Sequence, residues 1–274
     1  MKYLFLLFSV FAFGQEPNEM VSFTQAASLG FILKPGQSHV TSNRCMTKLE
    51  ALTKYKLSIS AMDAYANNQL IPRSVWLDGR CIVKVSSTEF KEFMCYNLGA
   101  DETFDPHIPI QAIHGNYYQW GRSTVVANAS TPPTAIAGWN TTLAPDGSWS
   151  DVSKTINDPC PPGYRVPTLD QWTGVRVYNT LTATGSFVNS PTNFGSAVHF
   201  GPNATVKSLT FPTSGFRSDS NGTLFNRGSN GYYHSSTLFT GGGTNVMVLI
   251  LNQNSSVTTI TERQTGFPVR CISL

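Results

Sequence analysis

From Tyr3 to Phe13 the chain is almost unbroken apolar, preceded by Lys2 and followed by Gly14-Gln15-Glu16. A basic start, a short apolar run and a small residue before polar ones form the three parts of a secretory signal peptide. The run is short for a hydrocarbon core of about 30 Å. It therefore predicts a leader over 1–14 and an exported mature chain from Gln15; a buried N-terminal strand is the alternative. No Cys follows the run, so a lipid anchor at this end is not indicated, and no other segment reads as a transmembrane span. Further on, Leu49, Leu52, Tyr55, Ile59 and Met62 recur at helical steps, predicting a helix over Thr47–Leu70 that Pro72 ends. Residues 15–75 are read as an N-terminal segment and 76–274 as the main domain.

In that domain the pattern changes to short strands and turns. Cys81-Ile-Val-Lys-Val predicts a strand, Phe90–Leu98 a second apolar stretch, and Val246–Leu251 a buried strand. Val257–Ile260 and Val269–Ile272 are further strands. Turn pairs recur at Asp105-Pro106, Pro132-Pro133, Asp146-Gly147, Asp158-Pro159 and Asn221-Gly222. One helix opens after Val166-Pro167: Thr168 is its N-cap, Asp170 lies in the first turn and Gln171 completes a capping box.

Composition sharpens this picture. The chain has 274 residues, 41% hydrophobic and only 13% charged, with Ser, Thr, Asn and Gly filling the gap. That charged share is about half the usual one, and it favours β structure and loops. A net charge of +3 without any Lys/Arg run argues against nucleic acid as a partner. Five cysteines, an odd number, make at least one unpaired or bonded to another chain; none forms a CxxC pair.

Four blocks then carry a resemblance. They are Phe93–Asp101 with Ile113–Arg122; Gly138–Asn140 through Asp146–Ser150 to Asn157–Thr168; Leu209–Arg217 through Gly231–Thr237; and Gly266–Ile272. In order and spacing they resemble the Fibrobacter succinogenes major paralogous domain, a family of exported proteins of Bacteroidetes type. The resemblance implies an α+β, C-type-lectin-like fold with a twisted antiparallel sheet, few helices and long loops forming a binding face. It implies disulfides Cys81–Cys95 and Cys160–Cys271, which leaves Cys45 over, either free or bonded to another chain. His234 departs from the family, which usually has Trp there.

Four arginines, Arg122, Arg165, Arg217 and Arg270, recur in these blocks. They are read as forks onto backbone carbonyls or carboxylates that pin loops, with ligand contact as the alternative. Trp120, Trp139, Trp149 and Trp172 are read as core bodies. No catalytic constellation emerges. A nucleophile elbow is missing, Gly241–Gly243 lacks a phosphate-loop setting, and the cysteine pair of copper oxidases related by fold is absent. A calcium site from Asp146, Asp151, Asn157 and Asp158 is the one cofactor in view. The expected function is therefore non-catalytic: a secreted or cell-surface module binding a glycan or a surface protein. Its expected contacts are Arg227, Asn230, Tyr232, Tyr233, His234, Asn245 and Asn252, a Tyr/Asn-rich stretch with antibody-loop chemistry. The alternative is a structural component of a surface or secretion assembly.

Overall fold

The computed structural model describes residues 81–274 apart from Thr205 and Gly242, and, within residues 1–80, the backbone of four short strands. Contacts divide the chain into units 1–80 and 81–274. In the first unit β1 (Met20–Val21) pairs with β4 (Ile71–Pro72), and β2 (Phe31–Leu33) with β3 (Cys45–Thr47), both antiparallel. The expected leader lies outside the described residues. So does the helix expected over Thr47–Leu70, except Thr47, which ends β3. Cys45 opens β3, and the state of its thiol is also outside them.

The second unit is rich in antiparallel sheet and carries one α-helix. Strands β5 (Cys81–Lys84) and β6 (Phe90–Phe93) form a hairpin. The last strand, β19 (Ile272–Ser273), joins it and also pairs with β9 (Tyr164–Arg165), giving the order β5-β6-β19-β9. A five-stranded sheet has the order β14 (Leu224–Phe225), β13 (Phe216–Arg217), β18 (Gly266–Pro268), β7 (Asn116–Gln119), β8 (Val125–Asn128). Two three-stranded sheets complete the unit: β10 (Thr180–Thr184), β11 (Ala197–Gly201), β12 (Leu209–Pro212), and β15 (Gly231–Leu238), β16 (Asn245–Leu251), β17 (Ser256–Glu262). No helix among the described residues is long and apolar enough to cross a membrane.

The apolar run Val246–Leu251 forms β16, at the centre of its sheet. Of the strand expected over Val269–Ile272 only Ile272 is strand, opening β19, and Val269, Arg270 and Cys271 lie between β18 and β19. Val269 and Cys271 still accept backbone bonds from Leu98 and Met94, both at 2.9 Å, but Arg270 between them turns its side chain into the interior. Likewise only Phe90–Phe93 of the Phe90–Leu98 stretch is strand.

Helix α1 (Leu169–Tyr178) starts as its sequence dictates. The Thr168 hydroxyl accepts from the Gln171 N–H at 3.1 Å, and the Gln171 side chain accepts from the Thr168 N–H at 2.9 Å. Trp172 and Val175 face inward and are fully buried. Gly174 lets the helix press on the chain after β5: a Cβ there would lie 1.7 Å from the Val85 carbonyl oxygen. At the far end the Asn179 amide donates to the carbonyls of Val175 and Lys84 and accepts from the Lys84 N–H, tying the helix to β5. Trp172 then packs with Phe93 and Phe211, and Phe211 with Phe200 and Tyr233, as one aromatic cluster. A second core gathers Trp120, Trp149, Val248, Phe267 and Val269. Trp139 stays half-buried, its indole donating to the Asp219 carbonyl at 2.9 Å.

Both disulfides join the pairs implied by the resemblance: Cys81–Cys95, 14 residues apart, and Cys160–Cys271, 111 apart. The first closes the β5–β6 hairpin; the second ties the loop before β9 to the final strand. Chain-entropy reasoning gives about 3 kcal/mol for a short loop and about 4.7 for one near a hundred residues. Replacing Cys160 and Cys271 together by Ser is therefore expected to lower the urea midpoint more than replacing Cys81 and Cys95. The reverse order would show that strain or unfolded-state structure, not loop closure, governs these bonds.

Candidate binding surface

The expected contact residues do not form one exposed face. Arg227 is 3% exposed, and Tyr233 and His234 are 0%. Tyr233 and His234 cannot serve as surface contacts, and Arg227 meets the surface only where it lines a small pocket. Tyr233 packs on Phe211 and donates to the Pro212 carbonyl at 2.7 Å. The His234 ring lies edge-on to Trp149 at 5.2 Å and against Phe267 at 5.0 Å. It thus fills an aromatic core position within a strand. Its Nε2 donates to the Tyr118 carbonyl at 2.8 Å, and its Nδ1 is buried without a partner. Half-buried Tyr232 stacks on Phe267 at 5.5 Å and accepts from the Asn226 amide. Asn230 makes backbone bonds in a turn, Asn245 opens β16, and Asn252 accepts from Asn254 and Ser255 in the β16–β17 turn. The polar look of Gly231–Leu238 conceals a buried strand with a register shift, so its side chains do not simply alternate.

The arginines behave as loop pins. Arg122 donates to the Thr142 carbonyl, and Arg165 to Asp151. Arg217 donates to Thr131, Pro132 and Gly222, and Arg270 to Met94, Cys95 and Thr210. Arg263 adds the Ala144 carbonyl and an ion pair with Asp146 at 2.6 Å. The four residues considered for calcium are engaged separately, Asp146 with Arg263. Asp151 accepts from Ser236 and Thr237, Asp158 from Lys154 and two backbone N–H groups, and the Asn157 carbonyl from Trp149. Among the described residues no group of three or more His, Cys, Asp or Glu is placed to hold a metal ion.

The open surface lies elsewhere. Asn116 begins β7, Asn128 ends β8, and the two are register partners at the open end of the hairpin. Beside them run the 3-10 turn Gln111–Ile113 and the loop through Gly99 and Asp101. Together Gly99, Asp101, Gln111, Asn116, Asn128 and Ser130 line a cleft of about 480 Å³, with Ala112, Gly115 and Ala129 completing it. Gly99, at φ +80°, leaves room for the Asn116 amide, which a Cβ there would strike at 1.9 Å. Gln111 donates to the Ser130 hydroxyl at 3.2 Å, and Asn128 accepts from the Ser130 N–H at 2.9 Å. Asp101 accepts from the Thr103 hydroxyl and N–H, which hold its carboxyl below the usual carboxylate range. Three amides, a hydroxyl and an ionised carboxylate thus meet at one opening. They offer planar donors and acceptors to a polyhydroxylated ligand. Sequence reasoning missed this site because Asn, Gly and Ser there read as ordinary turn residues.

A smaller pocket of about 190 Å³ is lined by Pro133, Asn189, Pro191, Leu224, Phe225 and Arg227.

The four histidines among the described residues are structural, and burial lowers the pKa of each. His114 accepts from the Ser214 hydroxyl at Nδ1 (3.0 Å) and donates from Nε2 to the Phe194 carbonyl (3.2 Å). Serine and histidine are here in contact, but both are 0% exposed and no carboxylate orients the ring. His107 and His199 share the Thr210 hydroxyl at 2.7 and 2.8 Å, a juxtaposition that residues 92 positions apart could not announce. Burial pushes His114 and His199 down to about 3 and His234 to about 4.

No protein-family model, curated protein or solved structure matches this chain.

These three histidines make stability pH-dependent. Their folded values lie below the ordinary value of about 6.5, so the unfolded chain binds more protons between the two. Their contribution is complete above about pH 6.5 and is lost as pH falls toward 4 and 3. Each contributes a slope of up to about 1.4 kcal/mol per pH unit. Urea midpoints are expected to drop steadily from pH 7 to pH 4.5, with a shallower slope in His234→Gln. A flat profile would mean that these rings protonate in place.

Proposed function

We propose that this chain is an exported, non-catalytic recognition module that binds the hydroxyl groups of a glycan in the cleft between Asp101, Gln111, Asn116, Asn128 and Ser130. The observation that carries this reading is the convergence of three amides, a hydroxyl and a carboxylate on one open cleft of about 480 Å³. Specificity in such sites comes from a few placed polar groups on a preformed surface. The cleft lining carries one carboxylate, Asp101, where glycoside hydrolysis uses a pair, and the Ser214–His114 pair is sealed from it. This supports binding without turnover.

The finer fold reading is C-type-lectin-like, within the Fibrobacter succinogenes major paralogous family. It is supported by the four sequence blocks and by the first hairpin of the unit pairing with its last strand. The single helix packed near that hairpin, the Cys160–Cys271 bond and the long loops between β8 and β9 support it as well. Two internal disulfides suit an oxidising compartment and support the export implied by the apolar N-terminus. The recognition surface moves from the Tyr/Asn-rich C-terminal stretch, whose anchors are buried, to the β7–β8 end.

A glycan array probed with the purified full chain, with and without calcium, tests this. A hit is expected, independent of calcium, and weakened about tenfold by Gln111→Ala or Asn128→Ala, the loss of one or two hydrogen bonds. Silence from a folded, disulfide-bonded chain would reject the glycan reading and favour a component of a surface assembly.

A further inference from the structure

The cleft and the smaller pocket share one loop. Asn128, Ala129 and Ser130 line the first and Pro133 the second. Ser130 and Pro133 are three residues apart, so their Cα atoms lie within about 11 Å. That loop is held by Arg217, which is 0% exposed and donates to the Thr131 and Pro132 carbonyls at 2.7 and 2.6 Å.

Arg227 lines the smaller pocket and is 3% exposed. Its guanidinium donates to the Pro191 carbonyl (2.8 Å) and the Tyr117 hydroxyl (3.2 Å) and lies 4.7 Å over the Phe194 ring. Arg217 lies 5.5 Å from the centre of the same Tyr117 ring. One tyrosine therefore carries a buried cation at its hydroxyl and another against its ring. Both arginines leave a buried Nε–H without a partner. The ion pairs among the described residues involve Lys91, Lys154 and Arg263, and none involves Arg217 or Arg227. Carbonyl dipoles solvate these guanidinium groups but do not cancel their charge, and a buried charge without a counter-ion carries a desolvation penalty of several kcal/mol. Burial, with a smaller contribution from Arg227, pushes the Arg217 pKa down. An anion seated in the pocket would supply the missing charge.

The remaining walls define what the anion is attached to. Leu224, Phe225 and two prolines are apolar, and Phe225 is 46% exposed with its ring stacked on Phe216 at 5.5 Å. Asn189 is exposed and offers an amide. The volume of about 190 Å³ is below the about 300–1,000 Å³ of drug-sized sites, so it takes one residue, not a chain. We propose that this pocket is a subsite for a carboxylate-bearing sugar, a hexuronate. Its carboxylate would face Arg227, the C–H face of its ring Phe225, and a hydroxyl Asn189. The proposal deepens the glycan reading and rests on it for the choice of a sugar over other carboxylates.

Titration of the full chain with glucuronate, glucose and N-acetylalanine, followed by NMR, tests it. Glucuronate is expected to bind at least about tenfold more tightly than glucose, to shift the Asn189 amide and the Arg227 Nε–H signals, and to weaken with added salt. Phe225→Ala and Asn189→Ala alter the rim, leave the core intact and should each reduce glucuronate binding several-fold. Gln111→Ala, in the cleft, should leave it unchanged. Equal binding of glucose and glucuronate would overturn the subsite while leaving the cleft standing. Tighter binding of N-acetylalanine than of glucuronate would overturn the choice of a sugar. Glucuronate binding untouched by either rim variant would place the anion elsewhere and also overturn it. Failure of the cleft reading would show separately, as glycan-array hits indifferent to Gln111→Ala.

Discussion

Arg270 is the residue on which the second unit hangs. It is 1% exposed, and its guanidinium donates to the carbonyls of Met94, Cys95 and Thr210 and twice to the Asn97 side chain. Its face lies over Phe211 at 5.0 Å. Asn97 in turn donates to the His114 carbonyl and the Tyr233 hydroxyl, and Tyr233 donates to the Pro212 carbonyl. The stretch after β6, the end of β12, β15 and the closing strands are thereby held by one network. Burial pushes the Arg270 pKa down to about 10, so the group stays charged at neutral pH and its hydrogen bonds remain charge-assisted. The adjacent Cys271, bonded to Cys160, fixes the same point covalently.

The general constraint behind this arrangement is the carbonyl group. A loop-rich chain leaves many C=O groups outside any ladder, and those that become buried must find donors. Few residues are as suitable as arginine, which carries five N–H groups in one plane and cannot accept. Arg165, Arg217, Arg227, Arg263 and Arg270 all end on backbone carbonyls. Tryptophan works the same way. The indoles of Trp120 and Trp172 donate to Ser235 and His234, filling carbonyls of β15 at the point where its register shifts. With 13% charged residues in the chain, these cations act more as hydrogen-bond donors than as members of ion pairs.

Where local chemistry alone dictates structure, the sequence was legible. The capping box at Thr168 and Gln171 follows from residue type and spacing, and the run Val246–Leu251 from its apolarity. The pinning role of the arginines was legible from their chemistry, but not the choice of carbonyls over carboxylates as their partners. The burial of β15 was not. Tyr, His and Ser are the residues of exposed loops, and only distant partners make them core residues: Tyr118 for His234, Met247 for Ser235, Asp151 for Ser236. The cleft was hidden for the converse reason. Its amides look like turn residues in the chain, and they acquire a shared direction only when β7 and β8 pair Asn116 with Asn128.

Structural support and the two proposed binding sites meet in the loop from Asn128 to Pro133. Asn128 closes it locally by accepting from Ser130 and Thr131, and Leu224 donates to the Pro133 carbonyl at 2.9 Å. Arg217 clamps the carbonyls between. The clamp works because the guanidinium is fully buried and, among the described residues, no carboxylate pairs with it to compete for its N–H groups. That same lack of a counter-ion leaves positive charge beneath the β13–β14 edge, next to Tyr117 and Arg227. A carboxylate placed there by the protein itself would have neutralised the charge and drawn Arg217 away from the loop. The fold therefore keeps its loop ordered through one physical choice, on which the proposed anion subsite also rests: satisfying buried arginines with carbonyls in place of carboxylates.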